Sequence, residues 1–187
     1  MGKLIVTEFM SLDGVMEAPG GEHTHPHTGW SMDFHGEGFG PFKMDELEEA
    51  ESQLLGRVTY EGFADAWPER EGPFAEKMNS MPKFVVSSTL SEPLEWENST
   101  LITGDVAKEV AKLKEETDGP ILVAGSATLV HSLIENDLVD ELRLMVFPVA
   151  IGGGKRPFPE GGDKKTFKLA ETKELGADVV VQTYVPA

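Results

Sequence analysis

Residues 121–136 read ILVAGSATLVHSLIEN. An apolar run stops at a glycine between small side chains, and a helical pattern begins at once. An apolar run with no polar alternation is a strand covered on both faces, which in practice means a parallel sheet with helices on either side. The pattern recurs at Leu54–Gly56, which runs into the helical spacing of Val58–Trp67, and in part at Lys83–Ser87, which runs into Ser87-Ser88-Thr89. The chain is therefore an α/β protein in its first two thirds. Further strands are expected over Lys3–Met10, Thr100–Thr103 and Ile121–Ala124. Helices are expected over Lys43–Gln53, Asp105–Thr117 and Ala127–Asn136, with Asp105 as an N-cap and Gly119-Pro120 as a stop. Residues 11–42 keep no periodicity and read as a long loop, and 69–82 as irregular chain with at most a short turn. The last third alternates: Asp140–Phe147, Thr166–Glu174 and Val179–Val185 read as strands, the last two joined by the hairpin-like LGAD. The expected architecture is one domain over residues 1–187. Its mixed sheet is mostly parallel, flanked by helices, with antiparallel strands at the C-terminal end.

In open α/β sheets ligands collect outside the carboxyl ends of the strands. A helix N-terminus there offers unpaired N–H groups and a partial positive charge of about +0.5. Gly125, Ser126 and Ala127 keep that mouth free of bulk, so an anion can touch main chain. A tight strand-to-helix turn alone would also call for Gly125. Two such junctions and the serine-rich third favour a ligand held at several points. Arg57, beside the first junction, has a planar fork that suits a phosphate monoester such as the 2′-phosphate of NADP. Neither G-x-G-x-x-G nor G-x-x-x-x-G-K-[ST] occurs, so a dinucleotide would not be held in the Rossmann manner.

Composition narrows the partners. The net charge of −17 repels a polyphosphate backbone, which argues against nucleic acid. There are no cysteines, which fits a reducing, cytoplasmic setting and excludes thiolate metal sites. No apolar run is long enough for a membrane span. The N-terminal MGKLIVTEFMSLDG reads as a strand with an acid in it rather than a targeting peptide.

Five segments in order, SLDGVM, LLGRVTYEGF, VVSSTL, LVAGSATL and FPVAIGGGKRPFPEG, resemble the dihydrofolate reductase-like superfamily. Within it they are similar to the reductase domain of riboflavin biosynthesis, in its small stand-alone form. The resemblance implies a three-layer dihydrofolate reductase-like fold, NADPH as hydride donor, and a small substrate of the 5-amino-6-(5-phosphoribosylamino)uracil kind. It implies that Gly56, Arg57 and Thr59 face the coenzyme phosphates. Ser87 and Ser88 would lie near its adenosine end, and Gly125, Ser126, Ala127, Thr128 and Leu129 would wrap the pyrophosphate. It also implies a cis peptide at the last junction, which matching the motif puts at Ala124–Gly125. Asp13 of SLDG is the candidate acid near the substrate, against its ordinary use in an Asp-Gly turn. Gly153 and Gly154 are expected beside the substrate, with Lys155 and Arg156 solvated. Asp45, Glu46 and Glu48 lie on the first predicted helix, and nothing singles one out.

His23, His25, His27 and His35 share the long loop, where imidazoles two apart can chelate. Without a supporting scaffold such histidines are solvated, so no metal is expected. The same loop is expected to close over the site with Trp30 or Phe34 as an apolar cover. An alternative from the same residues is a nucleotide-binding module that lacks reductase chemistry. A homodimer through the edge of the C-terminal strands is also expected.

Overall fold

The computed structural model describes residues 1–187. Eight strands form one sheet: β1 Leu4–Ser11, β2 Ser52–Gly56, β3 Lys83–Val86, β4 Ser99–Ile102, β5 Ile121–Val123, β6 Glu141–Phe147, β7 Phe167–Glu174 and β8 Val180–Pro186. The order across the sheet is β4-β3-β2-β5-β1-β6-β8-β7. The six strands from β4 to β6 run parallel, whereas β8 pairs antiparallel with both β6 and β7. Five helices connect or cover them: α1 Phe39–Glu49, α2 Arg57–Ala66, α3 Pro73–Ser80, α4 Val106–Glu116 and α5 Ala127–Glu135.

The central strands are buried because both faces carry helices. Leu4 and Val6 of β1, Leu54 of β2 and Val123 of β5 pack on Val110 and Leu113 of α4 and on Val130 and Leu133 of α5. Their neighbours Ile5, Leu55 and Leu122 point the other way, onto Leu47 of α1, Tyr60 of α2 and Met78 of α3. That alternation is the period-2 pleat applied to a fully apolar run. A third cluster sits under the long loop. Trp30 packs there with Met145 and Phe147 of β6 and Val181 of β8.

Helix α1 begins at Phe39, four residues before the expected start. Gly40 and Pro41 fall in its first turn, where proline's missing N–H and fixed φ are tolerated. Helix α3 lies inside the stretch expected to be irregular. Gly72-Pro73 marks its start, with proline at the first helical position. Its carbonyl end is held by Lys83, whose buried ammonium donates to the carbonyl oxygens of Met78 (3.1 Å), Asn79 (2.9 Å) and Met81 (2.9 Å). The loop from 12 to 38 holds only a 3-10 turn at Met32–Phe34. Strand β7 lies at one edge of the sheet and is exposed along nearly its whole length. No helix is long and apolar enough to cross a membrane.

Candidate functional site

Parallel pairing brings the carboxyl ends of β1, β2, β3 and β5 to one edge. β2 and β5 are neighbours, with Leu54 opposite Val123, so Gly56 and Gly125 lie side by side just beyond. The Gly56 N–H donates to the Gly125 carbonyl oxygen at 3.1 Å. Neither position accepts a side chain. A Cβ on Gly56 would fall 2.9 Å from the Ser126 backbone nitrogen and collide with its hydroxyl. Gly125 has φ +91°, and a Cβ there would fall 2.8 Å from Thr59 Oγ1. Helices α2 and α5 therefore start next to each other. No side chain caps either start, and neither first turn contains an acid. Ser126 occupies the N-cap position of α5, but its hydroxyl packs over Gly56 instead of capping. Two bare helix starts point at the same space.

The cis peptide lies at Gly125–Ser126, one bond beyond the expected Ala124–Gly125. The register explains the offset: Gly56 meets Gly125 and Ser126, so the tight pair at this crossing is 125–126. Of the residues expected at the cradle, Gly56, Thr59, Gly125, Ser126 and Ala127 come together here. Thr128 is exposed, and Leu129 turns its side chain into the core, leaving only its main chain toward the junction. Arg57 is exposed and donates to both carboxylate oxygens of Glu61, at 2.9 and 3.2 Å. Ser87 closes a turn at the end of β3, its hydroxyl accepting from the Thr89 and Leu90 N–H groups at 3.1 and 3.0 Å. Ser88 is exposed beside it.

Asp13 is held tightly. The Ser11 hydroxyl donates to its Oδ1 at 2.6 Å, the Ile151 N–H donates to Oδ1 at 3.1 Å, and the Gly152 N–H donates to Oδ2 at 2.7 Å. The Ser11 hydrogen bond, helped by those two N–H groups against some desolvation, lowers its pKa to about 2. Asp13 thus pins the glycine loop to the loop after β1. The same seam is continued by Met16 N–H to the Lys155 carbonyl (2.8 Å) and Lys155 N–H to Glu17 Oε2 (3.0 Å). Gly153 and Gly154 are exposed on this loop, and His25 Nε2 bonds the Gly153 carbonyl oxygen at 2.7 Å. The loop is anchored further on, where His131 of α5 bonds the Arg156 carbonyl oxygen at 2.7 Å.

Aromatic rings line the β1–β6 side. Phe9 lies 5.1 Å from Phe147 and 5.6 Å from Phe39, and His35 stacks on Phe39 at 3.7 Å. Trp30 meets Phe147 edge-on at 5.5 Å, and its indole N–H donates to the Glu17 carbonyl oxygen at 2.7 Å. Trp30 and Phe34 are thus packed into this wall. Nowhere in the chain do three His, Asp or Glu side chains share a metal-holding geometry.

One residue escapes motif reading. Glu8 of β1 shares a face with Leu4 and Val6, so it points toward α5. It is 6% exposed, and its Oε1 has no hydrogen-bond partner. That oxygen lies 3.9 Å from the place a Gly125 Cβ would occupy. Burial pushes the carboxyl up to about 8, with the Lys43 charge and the Gly125 backbone N–H pulling the other way. The available signal was a lone acid inside the apolar run LIVTEFM. A cleft of about 650 Å³ lies elsewhere, lined by Lys3, Glu46, Glu49, Glu141 and Arg143, whose charges pair with one another.

The sequence matches the family described as the RibD C-terminal domain over residues 2–181. The chain belongs to that family. This RibD C-terminal domain protein is 29% identical to the uncharacterized protein YyaP of Bacillus subtilis (strain 168), over 97% of this chain and 94% of the relative. Its fold is similar to a putative riboflavin biosynthesis protein from Shewanella sp. PV-4, with TM-score 0.72, 22% identity, and 100% and 99% of the two chains covered. It is similar too to dihydrofolate reductase from Enterococcus faecalis complexed with NADP(H) and RAB-propyl, with TM-score 0.60, 18% identity, and 99% and 96% covered. The RibD C-terminal domain protein thus has the dihydrofolate reductase-like fold. Its two uncapped, acid-free helix starts, held together where Gly56 packs against Ser126, offer main-chain N–H groups of the kind that bind anions.

Proposed function

We propose that this protein is a reductase that uses NADPH to reduce a small planar heterocycle, of the ribosylamino-pyrimidine class. The observation that carries the reading is the crossing of Gly56 with Gly125–Ser126, which sets two uncapped helix starts side by side. A pyrophosphate supplies the two anionic centres that such a pair of starts lacks. When bound, NADPH supplies the hydride. The N-terminal main chain of α2 and α5 would hold its pyrophosphate. Arg57 would take the 2′-phosphate by leaving Glu61, an exchange that costs little because exposed ion pairs contribute only about 0–1 kcal/mol. The half-buried rings of Phe9 and Phe39 would offer a flat substrate an apolar surface, backed by the fully buried Phe147. Asp13, held ionised, shapes the substrate side by fixing Ile151 and Gly152 rather than by donating a proton.

That engagement of Asp13 favours a second reading: a nucleotide-binding module of the same fold that has no reductase chemistry. Fluorescence titration with NADPH tests the shared part of both. Saturable binding is expected, weakened at least about tenfold in Gly56→Ala because the new Cβ collides with Ser126 and displaces the start of α5. Absence of saturation at millimolar NADPH would refute both. Oxidation of NADPH with the phosphoribosylamino-pyrimidine or with dihydrofolate separates them, since the module binds and does not turn over.

A further inference from the structure

The cradle that receives an anion has an acid in its floor. Glu8 is 6% exposed and its Oε1 has no partner, while the Gly125 backbone N–H faces its carboxyl group, two residues before the first residue of α5. An ionised carboxylate in that place would put negative charge under the helix start and oppose a bound pyrophosphate across poorly solvated protein. A neutral carboxyl would not. We propose that Glu8 is the proton-binding group that gates coenzyme affinity: the cradle accepts the dinucleotide with Glu8 protonated and resists it with Glu8 ionised. The proposal rests on the coenzyme reading above.

The surroundings leave Glu8 as the group that decides. From α1, Lys43 contributes a charge, but its ammonium is bound to Glu46 at 2.6 Å. From α2, Arg57 and Glu61 pair with each other at the surface. From α5, His131 is turned to the Arg156 carbonyl. On β6, Leu144 stands opposite Glu8, and Arg143 is bound to Glu46, Glu49 and Glu141. Burial raises the Glu8 carboxyl to about 8, within the range where a purified protein can be handled.

The test measures NADP⁺ binding to the full chain from pH 6.5 to 9.5. The 2′-phosphate, with a second pKa of about 6, is mostly a dianion at about pH 6.5 and almost wholly so above about pH 7, where the Glu8 change is read. Wild-type Kd is expected to be flat below pH 7 and to rise above pH 8 by up to about tenfold per unit. Glu8→Gln is expected to bind with a flat profile. Calorimetry at pH 9 in two buffers of different ionisation enthalpy should show close to one proton taken up per NADP⁺ by wild type and none by Glu8→Gln. A flat wild-type profile with good binding overturns the gate and leaves the coenzyme reading intact. Equal slopes in both proteins also overturn it and move the proton elsewhere, for instance to Lys83 at the opposite edge of the sheet, whose pKa burial lowers to about 8. No NADP⁺ binding by wild type at any pH overturns the coenzyme reading and the gate together. Carboxyl ¹³C NMR of Glu-labelled wild type needs no variant. One resonance should titrate near pH 8 and move higher with NADP⁺, and a resonance that stays put counts against the gate.

Discussion

Two glutamates of this protein are buried almost equally and kept in opposite ways. Glu46 of α1 is 2% exposed, and its carboxylate receives Lys43 at 2.6 Å, Thr7 at 3.2 Å and Arg143 at 3.3 Å. Glu8 is 6% exposed and has an oxygen with no partner. The first lies in a network of paired charges between α1, β1 and β6, while the second lies at the carboxyl edge beside bare main chain. A buried charge with donors on both of its oxygens is architecture. A buried acid left unpaired must stay neutral or find its partner elsewhere, and such groups concentrate at working sites. The network also explains Glu141, whose pKa is lowered although burial pushes it up, because Lys3 and Arg143 both donate to it.

That contrast can be broken at its paired end first. Arg143→Met removes the common partner of Glu46, Glu49 and Glu141, and should cost about 3–5 kcal/mol in urea unfolding at pH 7. NADP⁺ affinity should hardly change, and a loss under about 1 kcal/mol would show that the network is not structural. Glu8→Gln sharpens the other end. The folded carboxyl titrates near 8 rather than 4.5, so the stability Glu8 gives is whole below pH 4.5 and is lost as pH rises through 8. The variant cannot ionise. It should match wild type near pH 4.5 and exceed it at pH 8.5, by an amount on the order of 2–4 kcal/mol. Parallel stability profiles would mean that Glu8 ionises as freely folded as unfolded. The smallest effect on stability belongs to the exposed pair. Arg57→Ala should change unfolding by less than about 0.5 kcal/mol, yet weaken NADPH roughly tenfold and leave NADH binding unchanged.

Much of this was readable beforehand, and the misses have local causes. The strands with continuous apolar runs fell where expected, since burial on both faces leaves no other pattern. Helix α3 was hidden because it is short, and its apolar positions, Phe74, Ala75 and Met78, are too few to set a period. Gly56 and Gly125 were visible as strand-to-helix junctions. That they cross each other was not, because this depends on β5 entering the sheet between β2 and β1. The misplacement of the cis bond by one residue has the same origin. Asp13 was found by its SLDG motif, but its partners Ile151 and Gly152 lie far along the chain, so its hold on them could not be read from spacing.

Local pattern by itself determined most of the elements and their order, short of α3, together with the parallel-to-antiparallel change and the bareness of the junctions, because those depend on residues a few positions apart. Only the tertiary structure decided which bare junctions meet, which acid is neutralised by partners and which keeps an unpartnered oxygen. Burial and charge pairing are set by neighbours in space, and for Glu8 the deciding neighbour is Gly125, more than a hundred residues away in the chain.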